Sequence, residues 1–180
     1  MLFKSVKYIF KSLLLLIFLT GCGLTGNTYL VVPSTQDVNP NRVHDLKLNG
    51  KINLVNIQLI KTNTQLGVLS HNFYEGNFNE WTNKTIQLLK RELEKRGGVV
   101  SESGLKVLSL SVVAAQLETR SAGSGTRCTL TLHVETGDGY KKDISVVNNA
   151  GIGVDRPAGG AITLAITELL NDENILKYLR

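Results

Sequence analysis

The chain has 180 residues, with 20 Lys+Arg against 15 Asp+Glu and a net charge of +5. Three of those cations, Lys4, Lys7 and Lys11, lie at the very start, so residues 22–180 hold 17 basic and 15 acidic side chains. Such a balance excludes the concentrated basic face of a nucleic-acid binder, and the length suits one domain with its own core.

The three lysines are followed by "LLLLIFLTGCGL", Leu13 to Leu24. This apolar run is far shorter than the ~20 residues that a bilayer-crossing helix needs. A basic start, a short apolar stretch and a small-residue end are the parts of a secretory signal. Leu19-Thr20-Gly21-Cys22 resembles a bacterial lipobox, which implies peptidase recognition through Leu19, Thr20 and Gly21. It also implies cleavage before Cys22 and acylation of that residue. One acyl chain holds a protein only marginally, whereas more than one anchors it stably. Gly23 and Leu24 follow with no Asp in second position. By resemblance to known lipoproteins, that implies the outer membrane, on its periplasmic side. Residues 1–21 are therefore read as a lipoprotein signal peptide, 22–49 as a lipidated tether and 50–180 as a single α/β domain.

The tether assignment rests on polar composition and on two prolines in "PSTQDVNPNRVHD". "KINLVNIQLI", Lys51 to Ile60, is rich in β-branched residues and reads as a strand. "KTNTQLGVLSHNFYEGN" reads as a loop with one short extended piece. Asn77 then opens a helix, with Glu80 at capping-box spacing and Gly97-Gly98 closing it. Phe78, Trp81, Ile86, Leu89 and Leu93 form its expected buried stripe. Charges interleaved in "KRELEKRG" read as a solvated face.

Three alternating strands follow. They run over Leu108–Ala114, Thr126–Glu135 and Tyr140–Val147, with "TGDG" as the second turn. Cys128 is in phase with Leu130, Leu132 and Val134, on the apolar side, where a lone thiol serves as core filler. A second helix is expected over Pro157–Leu170, with Asp155 as its cap, and "ENILKYLR" adds a final turn. The predicted fold is a two-layer α/β sandwich. It has a mostly antiparallel sheet and two amphipathic helices on one face, in the order strand, helix, three strands, helix.

Few residues suggest chemistry. "GIGVDRPAGG" lies where phosphate cradles occur, yet it matches neither GxGxxG nor a Walker loop. His44, His71 and His133 are far apart and show no metal-ligand spacing, so neither a metal nor a cofactor is expected. Gly123-Ser124-Gly125 lacks the frame of a nucleophile elbow. Phe73, Tyr74, Phe78 and Trp81 gather at the start of the first helix, either as core or as a partner-binding patch.

With these parts assembled, the chain resembles the YajG-type family of small outer-membrane lipoproteins. The resemblance runs through "LTGC", "VNIQLIKTNTQLGVL", "LLKRELEKRGGVV", "LKVLSLSVVAAQLE" and the C-terminal helix. It implies a compartment and a fold. The expected function is a non-enzymatic accessory or scaffold subunit of an envelope complex, held to the membrane through lipid on Cys22. The competing expectation is a periplasmic ligand binder or enzyme near the 151–160 loop, with a cleft gathering His71, Asp155 and Arg156.

Overall fold

Alternating apolar positions give strands one buried face, and in the computed structural model those faces are covered by helices. The structure describes residues 26–44, 47–48, 50–119, 125–151 and 153–180. Leu19, Thr20, Gly21 and Cys22, the signal peptide, and Gly123-Ser124 lie outside them.

The strands are β1 (Thr28–Leu30), β2 (Lys51–Asn56), β3 (Asn63–Leu69), β4 (Asn72–Asn77), β5 (Val99–Val100), β6 (Lys106–Thr119), β7 (Thr126–Thr136) and β8 (Lys141–Ala150). The helices are α1 (Phe78–Lys95), α2 (Asp155–Leu169) and α3 (Glu173–Leu179). A five-stranded sheet has the order β5-β2-β6-β7-β8; β2 pairs in parallel with β5 and β6, and β6, β7 and β8 form long antiparallel ladders. Helices α1 and α2 pack on one face of it. This is the expected α/β two-layer sandwich.

Register makes the two faces of that sheet different. Leu110, Val134 and Lys142 share one row, and Val112, Leu132 and Ile144 the next, on the helix-covered side. On the opposite side Ser111, His133 and Asp143 share a row. There Thr131 Oγ1 and Ser145 Oγ stand 2.9 Å apart, and Lys141 pairs with Glu135 at 3.2 Å. Cys128 is fully buried on the helix side, as expected, and burial pushes its thiol up to about 12.

The loop expected over 61–77 is instead a hairpin, β3–β4, which with β1 forms a second sheet of order β1-β4-β3. Its two-residue turn, Ser70-His71, has φ of 48° and 70°, the left-handed pair that hairpins of this length favour. That conformation is usually announced by Asn-Gly or Asp-Gly, and Ser-His carries no such signature. Strand β3 lies against the distal half of β6. A Cβ on Gly67 would stand 2.3 Å from the Leu117 carbonyl oxygen, so only glycine allows the approach.

The segment expected as a free tether is packed over residues 26–44. Strand β1 pairs in parallel with β4, Val31 and Val38 are buried, and the Trp81 indole N–H donates to the Val31 carbonyl at 3.1 Å. Beyond Val31 the chain crosses the helices as a strap. Gln36 and Thr163 exchange hydrogen bonds, and the His44 backbone N–H donates to Asn171 Oδ1 at 3.1 Å. These bonds run through the strap's backbone at Gln36, Arg42 and His44, so its polar side chains gave no sign of this path.

Two details of the helices also differ from expectation. In α1 the buried stripe is Phe78, Trp81, Thr85, Leu88, Leu89 and Leu93, while Ile86 is only half-buried. In α2 the cap position falls on Val154 with no side-chain cap bond, and Asp155 is the first helical residue. Asp155 thus places its charge near the positive end of the helix dipole without closing an N–H.

Candidate interaction site

Of the four aromatics expected at a partner patch, Phe78 and Trp81 are core residues, 5% and 1% exposed. They sit at the start of α1, which Asn77 caps by accepting from the backbone N–H of Asn79 and Glu80, both at 3.1 Å. Phe73 and Tyr74 are half-buried on β4 and face opposite sides of the small sheet. Tyr74 stacks on Tyr29 of β1 with centroids 5.6 Å apart. Phe73 lies on the outer side, in a row with Thr28 and Val68. Leu30, Val32 and Val68 are each about half exposed. The aromatic cluster thus divides into core and surface. The exposed apolar surface extends to Leu30, Val32 and Val68, which sequence reasoning missed because β1 and β3 were not expected as strands.

The glycine segment serves packing. A Cβ on Gly159 would stand 1.8 Å from the Ser34 carbonyl oxygen, and one on Gly160 would stand 2.1 Å from Asn148 Nδ2. Helix α2 therefore carries Gly159-Gly160 in its second turn so that the strap can press on one side and β8 on the other. A shallow depression of about 250 Å³ lies nearby, lined in part by Ser70, Tyr74, Thr119, Thr126 and Gly153. His71, Asp155 and Arg156 do not line it, so the structure does not gather that trio in this depression.

The row Ser111–His133–Asp143 has the residue types of a hydrolytic triad, and His133 Nδ1 stands 2.6 Å from Asp143 Oδ1. Nucleophilic chemistry needs the serine oxygen presented to the second ring nitrogen and to a substrate. Ser111 instead accepts a hydrogen bond from Gln58 Nε2 at 3.0 Å and is 6% exposed, covered by the chain leaving β2. Among the described residues no group of three or more His, Cys, Asp or Glu could hold a metal ion. No helix there is long and apolar enough to cross a membrane.

The charged stretch expected as a solvated face conceals one buried carboxylate. The Glu92 side chain is 2% exposed and is bonded to Lys95 at 2.8 Å and Arg96 at 2.7 Å. Burial works to raise its pKa, but the hydrogen bonds from Lys95 and Arg96 more than offset it and hold the carboxyl below its ordinary value. Lys95 also reaches Asp37 of the strap at 3.0 Å. A groove of about 440 Å³ lies here, with Val38, Val43, His44, Glu92 and Arg96 along its wall. The cluster ties the strap to α1, and its polar groups bond to one another. Asp172 plays a similar part at the start of α3. It accepts from the Ile175 backbone N–H at 2.9 Å and pairs with Lys142 at 2.6 Å.

No family model matches the chain, and no curated protein matches it. A solved structure, that of protein XCC0632 from Xanthomonas campestris, is described with the family model DUF330. It is similar at 12% sequence identity with a TM-score of 0.49, covering 86% of this chain and 95% of that chain.

Proposed function

We propose that this protein is a bacterial envelope lipoprotein, anchored in the outer membrane through acyl chains on Cys22 and facing the periplasm. It acts there as a non-enzymatic accessory or scaffold subunit. The observation that carries the reading is Leu19-Thr20-Gly21-Cys22, placed directly after a basic and apolar leader. The resemblance to the YajG-type family points the same way. The accessory role is supported by how the reactive groups are spent, since Ser111, Glu92 and Asp172 are all engaged in holding elements together.

Metabolic labelling with a palmitate analogue tests the anchor. Wild-type protein is expected to carry the label and sediment with membranes. Cys22→Ser is expected to lose the label and accumulate with its leader uncut. A Cys22→Ser variant that keeps label and processing would overturn the proposal. For the accessory role, cross-linking in intact envelopes is expected to recover a reproducible protein partner, and recovery only as an isolated monomer would count against it.

A further inference from the structure

The small sheet has an outer face unlike the rest of the surface. Leu30, Val68 and Phe73 share it, interrupted by Thr28, Gln65 and Glu75, and Val32 is exposed just past the end of β1. Its single described carboxylate, Glu75, lies 3.5 Å from Asn63 Nδ2, towards the strand ends remote from the hairpin turn. The other strongly exposed apolar side chains are the adjacent pair Leu59 and Ile60, between β2 and β3, and scattered residues such as Leu105 and Val99.

The chain enters the fold at this sheet. Gly26 lies directly against the His71 carbonyl and the Phe73 ring, at the hairpin-turn end. Only four residue steps separate Gly26 from Cys22. Fully extended, four steps span at most about 14 Å. A single helix with its side chains is about 10–12 Å across, so this leash keeps the sheet within little more than one helix diameter of the anchor point.

We infer that the outer face of the small sheet rests in the lipid headgroup layer beside the acylated cysteine. Leu30, Val68 and Phe73 dip towards the acyl boundary, while Thr28 and Gln65 bond to headgroups. The inference rests on the proposed lipid anchor at Cys22. Mixed apolar and polar character suits this zone, where amphipathic surfaces settle at the headgroup boundary. An obligate protein interface would instead present a more continuous apolar core. The short leash makes the contact effectively intramolecular, so a modest apolar area suffices to hold it.

The test uses the full chain, processed in the envelope, purified and reconstituted into nanodiscs of phosphatidylethanolamine and phosphatidylglycerol. Single variants Val68→Cys, Leu30→Cys and Val99→Cys are labelled with an environment-sensitive fluorophore; Cys128 is buried and does not compete. Val99 serves as the control because it lies on β5, at the edge of the other sheet and past the far end of the 18-residue α1. Mass spectrometry first establishes acylation at Cys22.

With Cys22 acylated, lipids bearing a quencher are expected to quench positions 68 and 30 about twofold or more over position 99. Equal quenching at all three positions overturns this inference and leaves the anchor standing. An unmodified Cys22 overturns both. Concentration-dependent protection of position 68 in detergent, without lipid, would show that a second copy covers the face and would likewise overturn the inference.

Discussion

The two sheets obey the same alternation and end with opposite surfaces. In the five-stranded sheet the apolar rows lie under α1 and α2, and the far side carries Thr131–Ser145, Glu135–Lys141 and His133–Asp143. In the small sheet Gly76 lies against Trp81 and Leu66 on the covered side, while Leu30, Val32 and Val68 are left outside. A strand's period of two fixes only which residues share a side. What later covers that side decides whether its apolar row becomes core or contact surface.

The most severe way to break this contrast is Trp81→Ala. The indole fills the space between α1, Gly76 and the Val31 carbonyl, so its loss is expected to cost about 3–5 kcal/mol in denaturant unfolding. Hydrogen exchange should speed up more in β1, β3 and β4 than in β7. Uniform acceleration would show that the small sheet has no separate dependence on this residue.

Glu92→Gln probes the opposite end of α1, where the strap is tied down. Removing a buried carboxylate strands Arg96, while half-exposed Lys95 is partly screened. The expected loss is therefore about 2–3 kcal/mol, below that of a fully enclosed pair. Because the folded carboxyl sits below its ordinary value of 4.5, its contribution is complete above that pH and disappears as pH falls through the lower folded value. Denaturation series across that range should show the variant's deficit shrinking with acid. A deficit independent of pH would place the effect in packing alone.

The smallest effect belongs to Asn77→Ala, which removes the α1 cap and a 2.7 Å bond from Asn77 Nδ2 to the Lys61 carbonyl. It should lower stability by about 1 kcal/mol. Its exchange signature should be local to the junction of β4 with α1. A loss spread over β7 and β8 would mean that the junction is not a boundary between the two regions.

Long alternating strands, a capped helix and the closing glycines were readable because each is encoded within its own segment. Strands β6, β7 and β8 and helix α1 are of this kind. Strands β1, β3 and β4 were not readable. Their hairpin turns on Ser70-His71 without the usual Asn-Gly, and β1 has only three residues that become a strand by pairing with β4 far along the chain. The strap was hidden for a related reason, since Gln36 bonds to Thr163 through its backbone and Asp37 finds Lys95 only after the fold brings them together. At the interaction site, Phe73 and Tyr74 were legible as aromatics near a helix start. Which of them faces outward depended on a register that the sequence does not state. Glu92 read as a surface charge because an interleaved charge pattern is the same whether or not a strap lies over it.

That strap also orders events in time. Gln36 must wait for Thr163, a separation of 127 residues, and Asn171 for Arg42 and His44. A chain emerging amino-terminus first therefore cannot fasten its 36–44 strap until nearly its last helix has arrived. The 36–44 strap stays open longest, while β1 can already pair with β4 and the Trp81 indole can already reach Val31. The two halves of the leading segment thus close at different times.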